Sequence, residues 1–520
     1  MKFSTLTVIT TLLQSAVKTS GQNATNTADV GQPATADVVN IDFMFPIVQG
    51  VSPILQETMD EMVGVFNELN PGIKVNAIYS GSYDQTFKKV VARIDANDPP
   101  AVAVLNVNRM IEMNAMDAIS PLNDYVEEAG GYHFLDDYFM RMFEGEIIVA
   151  NDEHADRFDG SLFDPFDGSL NDPPTRLKLM GWPMMRSTPV LYYNVDMLNE
   201  AGVEPPRDWK ELIEAAKQLT TGTSKGLGIP DTWSDWIYGA FSRQAGTQVI
   251  EDRNWETVTF DSKGNTHALA VWKKLAEDGS IPVPLTPWSD AISNFLNGEF
   301  PMLYFTTGGI STIKEAGANF TWNAVYCPAG THGFGVNEGG GDFHIFSGVP
   351  KASQDAAWKL IKFLTTPENA AQWSVASGYI AVNKKAYDTE LMQAALKETP
   401  QYAVARDQLV YSYAQMMSEN IDKVRQVLND NLDALVAGNK TIAEVQADGQ
   451  AGMVAAIGAP APALEPAPAP TPPSDLCPCS DIESAKDVPI MSANSSPTLT
   501  GVRAGLALAL GVGGIFACLA

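Results

Sequence analysis

From residue 39 onward, apolar positions switch between two periods. Ile41 to Phe45 is a short apolar run and predicts a strand. Ser52 then reads as a helix N-cap with Pro53 in the first turn. Leu55, Met59, Met62, Phe66 and Leu69, spaced by fours and threes, form one helical face, which Asn70-Pro71-Gly72 ends. Ile73, Val75, Ala77 and Tyr79 alternate as a strand, and Gly81-Ser82-Tyr83 turns the chain. A helix over 84–96 and a strand over 101–107 follow. This alternation predicts an α/β chain whose parallel or mixed sheet is covered on both faces. Ligands of such sheets sit beyond the carboxyl ends of the strands, where Tyr83 and the stretch Asn106-Val107-Asn108 fall.

The theme continues through Val190–Asn194, an apolar strand. Pro205-Pro206-Arg207-Asp208-Trp209 leads into a helix with Leu212, Ala215, Ala216 and Leu219 on one face. Helices are predicted over 356–365, from Pro367, and lastly over 421–435 with Val424, Leu428 and Leu432 inward. Residues 151–172 interrupt the pattern with seven acids to one base and the sequence Phe-Asp-Gly-Ser-Leu twice. Their aspartates lack the spacing of a calcium loop, so a solvated hairpin is expected.

With 520 residues and 45% apolar content, the chain can bury a sizeable core in more than one domain. Acids outnumber bases 62 to 34, for a net charge of −28, which argues against nucleic acid as a partner. Four cysteines exclude a disulfide-stapled scaffold: Cys327 is expected buried and single, and Cys477 and Cys479 are too few for zinc. There is no Gly-x-Ser-x-Gly elbow, His-Glu-x-x-His or P-loop. Gly333-Phe-Gly335 runs to Glu338 where a dinucleotide fingerprint needs glycine. The histidines at 133, 154, 267, 332 and 344 form no pair at helical ligand spacing. No enzyme, metal or cofactor is expected.

The two ends suggest an address. Met1-Lys2 ahead of the apolar run Phe3–Leu13 reads as a secretory signal over 1–21. Residues 458–473 hold seven prolines and five alanines and begin a stiff stalk expected over 458–496. Small residues around Ser492, Asn494 and Ser495, a polar spacer and the uncharged stretch 504–520 follow. That order matches a glycosylphosphatidylinositol (GPI) attachment signal, with 497–520 removed, rather than a weakly anchored span. The expected location is the outer leaflet of a eukaryotic plasma membrane. The sequons at Asn23, Asn319 and Asn439 fit that setting.

Several stretches share one resemblance. They are Ser187-Thr-Pro-Val-Leu-Tyr-Tyr-Asn194, the Pro-Pro-Arg-Asp-Trp entry, Phe295-Leu-Asn-Gly298 and Gly339-Gly-Gly341. Pro367-Glu-Asn-Ala-Ala-Gln-Trp373, Ser377-Gly-Tyr379 and Lys384-Lys-Ala-Tyr387 complete the set. Over about 39–457 the chain resembles the bacterial extracellular solute-binding proteins of ABC-type uptake, particularly those for sn-glycerol 3-phosphate and glycerophosphodiesters. The resemblance implies a two-lobe, periplasmic-binding-protein-like α/β fold with a hinge and an interlobe cleft. Lobe one would comprise 39–183 plus 299–346, and lobe two 184–298 plus 347–457.

The resemblance also implies ligand contacts from Tyr83, Ser187, Trp233, Trp236, Thr306 (serine in relatives), the Gly341 amide, Tyr379 and Arg425. Relatives carry a glutamate for glycerol hydroxyls where this chain has Val107, so Asn106 or Asn108 is expected to replace it or the polyol preference to change. Read alone, Arg425 is a helix-surface ion pair and the two tryptophans are core. In a cleft, the guanidinium fork suits phosphate oxygens and the indoles suit a sugar face or a quaternary ammonium. The implied function is capture of a small organic phosphate by a monomer, for uptake through an unidentified transporter. A carbohydrate ligand, a ligand-free adhesion role and a phosphodiesterase are the alternatives.

Overall fold

The computed structural model describes residues 38–47, 54–149, 177–252 and 254–458. The leader over 1–21, Asn23, the Ser52-Pro53 cap and the acidic repeat 151–172 lie outside the described residues. So do the stalk beyond Gly458, the cysteines at 477, 479 and 518, and the anchor positions Ser492, Asn494 and Ser495.

Two sheets organise the chain. The first contains β1 (Val39–Phe45), β2 (Ile73–Tyr79), β3 (Val102–Asn106), β4 (Trp182–Ser187) and β10 (Gly339–Ile345), in the order β2-β1-β3-β10-β4. Its first three strands run parallel, and β10 runs antiparallel to both neighbours. The second contains β5 (Pro189–Asn194), β6 (Leu227–Gly228), β7 (Met302–Thr306) and β8 (Trp322–Val325), in the order β8-β5-β7-β6. A short parallel pair joins β9 (Val336–Asn337) to β11 (Ser412–Tyr413).

The two-residue period of a strand explains how each sheet is covered. Phe43, Phe45, Val102 and Val104 face one core with α1 (Ile54–Leu69) and α8 (Lys351–Leu364). Met44, Ala103 and Leu105 point the other way, toward α2 (Tyr83–Asp95) and residues 110–119. In the second sheet Leu191, Tyr193, Met302 and Tyr304 face α3 (Trp209–Leu219), α4 (Ser234–Gln244), α5 (Lys263–Glu277) and α10 (Ile421–Val436). Their neighbours Val190, Tyr192, Leu303 and Phe305 face α6 (Trp288–Leu296) and α7 (Gly309–Ala316). The result is a two-lobe α/β fold.

The expected lobe boundaries need correction. β7 and β8 pair with β5, so these parts of 299–346 belong to the second sheet. α8 and α9 (Pro367–Ser377) pack on β1 and α1, so 351–377 belongs with the first. Thr188 alone separates β4 from β5, so one extended run serves both sheets and the division falls there. The chain passes between lobes again around β9 and around β11. Two smaller differences are physical. Leu69, in the last turn of α1, is 63% exposed rather than part of the buried face. A further helix, α11 (Ile442–Ile457), follows α10 and packs on it behind a Thr441–Glu444 capping box. Of its residues Val445, Gly449 and Met453 are buried, spaced by four, but the glycine at the middle position interrupts the apolar stripe in the sequence.

Candidate functional site

Residues from both lobes line a cleft that encloses about 800 Å³ of empty space, part of it open to solvent. Ser82 caps α2: its hydroxyl accepts from the Gln85 N–H at 3.3 Å, and the Gln85 side chain accepts from the Ser82 N–H at 2.9 Å. The cap fixes the first turn and with it Tyr83. The ring of Tyr83 rests on the glycine run: a Cβ at Gly341 would come within 2.6 Å of it. Gly340 has φ +101° and brings its Cα against the Met185 carbonyl, leaving no room for a side chain.

Tyr379 is set by the end of α9, where its N–H donates to Ser377 Oγ at 3.1 Å and its carbonyl accepts from Ser374 Oγ at 2.5 Å. The hydroxyls of Tyr83 and Tyr379 share a hydrogen bond of 3.2 Å. Burial, followed by Tyr379 itself, pushes the Tyr83 phenol well above its ordinary value, and burial pushes Tyr379 up to about 12. Both therefore stay neutral and keep a proton to donate. Ser187 ends β4 opposite Gly339, and Thr306 ends β7.

The second lobe supplies aromatic walls. Trp236 is buried and donates its indole N–H to the Glu338 carbonyl at 3.1 Å. Trp233 meets Trp288 edge-on with centroids 6.5 Å apart, and Trp288 lies 4.2 Å from Phe305. Arg425 stacks on Trp233 at 4.1 Å. Its Nε donates to Asp235 Oδ2 at 2.9 Å, and Nη2 donates to Asp235 Oδ1 and the Thr232 carbonyl at 3.3 Å. Burial pulls this guanidinium down, but the pairing with Asp235 and the charges of Asp84 and Asp422 together hold it above its ordinary value. Nη1 takes part in none of these bonds.

Of the expected ligand residues, Tyr83, Asn106, Ser187, Trp233, Trp236, Thr306 and Tyr379 line the cleft. Gly341 does not; it is the seat of the Tyr83 ring, and Gly339 and Gly340 reach the cleft instead. Asn108 is buried but outside the lining, with its N–H donating to Asn106 Oδ1 at 3.2 Å. Arg425 also lies outside the lining, behind Trp233. Lining residues not expected from the sequence include Trp288, Ser289, Ile292, Phe305, Thr312, Ser377 and Gln415. Trp288, in the Pro287-Trp288 start of α6, carried the one usable signal: an aromatic side chain at a helix entrance.

None of the lining side chains is charged; the charges sit one layer behind. Arg109, buried, joins Asp84 of α2 (3.3 Å), Glu112 (3.1 Å) and Asp422 of α10 (2.5 Å), an ion cluster spanning the lobes. Arg186, next to Ser187, pairs with Asp342 at 2.7 Å and with Glu338. Among the described residues no three His, Cys, Asp or Glu side chains are placed to hold a metal ion, and no helix is long and apolar enough to cross a membrane. Cys327 is buried and free, and Asn319 and Asn439 are exposed.

Comparison with known proteins places this arrangement. Residues 61–403 match the model of the bacterial extracellular solute-binding protein family. The sn-glycerol-3-phosphate-binding periplasmic protein UgpB of Escherichia coli O1:K1 is 25% identical over 405 residues, covering 74% of this chain and 86% of that one. The crystal structure of UgpB from Mycobacterium tuberculosis in complex with glycerophosphocholine superposes with a TM-score of 0.66 at 20% identity, covering 81% of this chain and 98% of that one. The cyclic α-maltosyl-1,6-maltose binding protein of Arthrobacter globiformis gives 0.65 at 17% identity, covering 81% and 99%. By its sequence match and its two-lobe architecture, this chain belongs to the bacterial extracellular solute-binding protein family.

Proposed function

We propose that the protein is a binding protein, not an enzyme, that captures a glycerophosphodiester such as glycerophosphocholine in the interlobe cleft and passes it to a membrane transporter. The observation that carries this reading is the convergence of Tyr83, Ser187, Thr306 and Tyr379 on a cleft with aromatic walls, beside Arg425. Four hydroxyls and the glycine backbone offer donors to phosphate oxygens, and Arg425, behind Trp233 and with no bond through Nη1 among the described residues, supports a negative charge nearby. Trp233, Trp288 and Phe305 offer faces to a quaternary ammonium. A zwitterion also suits an uncharged lining on a chain of net charge −28, which disfavours a doubly negative solute. Relatives named for sn-glycerol 3-phosphate support the phosphate-ester class.

One observation favours a carbohydrate instead. Asp235 already engages Arg425, and a neutral, aromatic, hydroxyl-rich cleft also suits sugar rings. Calorimetry with glycerophosphocholine, sn-glycerol 3-phosphate and maltotriose decides between them. Micromolar binding of a phosphate ester is expected; binding of maltotriose alone moves the reading to carbohydrate capture, and no binding overturns both. For location we propose a GPI-anchored cell-surface protein, supported by the composition of Ser492–Arg503 and of 504–520. Release from cells by a phosphatidylinositol-specific phospholipase C is the expected result.

A further inference from the structure

The segment 411–418 crosses between the lobes, and its side chains divide among three destinations. Ala414 and Met417 pack into the core behind β3 and α2 of the first lobe. Met416 packs against the core of the second lobe. Gln415, between them, lines the cleft. It is 6% exposed, yet its Oε1 is buried with no hydrogen-bond partner, and among the described residues its Nε2 donates to no protein atom. A carbonyl oxygen held this way forfeits its bonds to water and gains none in return, a state that proteins rarely keep without a use for it.

The chemistry around it narrows that use. No side chain lining the cleft is charged. Asn106 brings a second carboxamide to the lining, its Oδ1 occupied by the Asn108 N–H and its Nδ2 bonded to no protein atom among the described residues. An amide both donates and accepts, and so does a hydroxyl; a phosphate or an ammonium can use only half of that capacity. We propose that Gln415 is a specificity-determining residue that reads a hydroxyl-bearing, uncharged part of the bound solute, such as the glycerol end of a glycerophosphodiester. Asn106 supplies a companion donor. This rests on the solute-capture reading above.

Gln415→Met keeps the length of the side chain and removes both hydrogen-bonding groups; Gln415→Glu keeps its shape and adds a charge. Wild type and both variants, as full-length protein, are titrated with glycerophosphocholine, sn-glycerol 3-phosphate and maltotriose, and their Tm values are measured without ligand. Loss of one buried hydrogen bond to a neutral group predicts a Kd roughly 10-fold weaker for Gln415→Met toward whichever probe the wild type binds. Its ligand-free Tm should equal or exceed that of the wild type, since an unpartnered polar group is gone. Gln415→Glu should weaken phosphate-ester binding at least as much. An unchanged Kd in both variants overturns the inference alone, and so does a lowered Tm with unchanged Kd, which is the signature of a packing residue. If the wild type binds none of the probes, the capture reading falls first and this inference with it.

Discussion

At the scale of single residues, Arg425 carries the functional question because its charge has two claimants. Asp235 holds one edge of the guanidinium and Trp233 holds its face, and under the proposed phosphate reading a solute contact would fall to Nη1, which makes no bond among the described residues. Replacing Arg425 alone would strand a buried carboxylate at Asp235 and cost about 3–5 kcal/mol of stability, which would confuse any binding result. The informative variant combines Arg425→Gln with Asp235→Asn, removing both charges together. If Arg425 contacts a phosphate, losing a charged hydrogen bond weakens phosphate-ester binding about 10- to 100-fold. Maltotriose binding by the same variant should change less than about 3-fold, because it loses no charged contact. Calorimetry at fixed ionic strength reads both. Unchanged phosphate-ester affinity would return Arg425 to an ion-pair role. Tyr83 was legible in the sequence because it stands beside the turn at Gly81-Ser82 that follows a strand, whereas Tyr379 was reached only through the resemblance of Ser377-Gly-Tyr379 to the family. Gln415 was legible in neither way. Its burial follows from where Ala414, Met416 and Met417 pack in two different lobes, and no local pattern contains that information.

At the scale of elements, the site depends on helix and strand ends. Tyr83 and Tyr379 sit at the start of one helix and just past the end of another, and Ser187 and Thr306 end strands. The periods that predict β1, α1, β2, α2 and β3 therefore predict the scaffold of the first lobe well. Partners across the fold are a different matter. β7 carries apolar residues on both faces, so its own pattern could not say that it pairs with β5 rather than with the first sheet. The cap at Ser82 tests how far an element's end controls the site. Ser82→Ala removes the acceptor for the Gln85 N–H, and caps of this kind contribute about 1 kcal/mol. The variant should show a slightly lower Tm. If the cap positions Tyr83, it should also show a Kd weakened several-fold beyond what stability explains, and Ser82→Asp, which caps equally well, should restore both. Restored Tm without restored affinity would separate the cap from the site.

At the scale of the whole molecule, buried acids behind the cleft tie stability to pH. Glu146 is fully buried beside Asp342 and His344, and neither of its oxygens, nor Asp342 Oδ1, meets a donor among the described residues. His344 Nδ1 lies 3.1 Å from the Met180 carbonyl, which places its proton there and leaves Nε2 as an acceptor 3.8 Å from Glu146. Burial, followed by the charge of Asp342, pushes the Glu146 carboxyl well above its ordinary range, so it keeps a proton and shares it with its neighbours. Burial likewise pushes Glu144 up to about 7, against the pull of Arg141. Between the ordinary carboxylate value of 4.5 and these raised values, the folded chain binds more protons than the unfolded one. The contribution of both acids to stability is therefore complete below about 4.5 and declines as pH rises above it, through about 7 for Glu144. His344 acts in the opposite sense: burial lowers its value, so its contribution is complete above 6.5 and declines as pH falls. Glu146→Gln isolates the acid term. The amide presents a fixed donor to Asp342 Oδ1, as the protonated carboxyl does, without needing a proton from solution. The variant should match the wild type near pH 5 and melt higher by at least about 2 °C near pH 7.5, flattening the decline in Tm between them. A variant that melts lower at both pH values would mean that Glu146 is ionised in the fold and that the charge of Arg186, not a proton, compensates it.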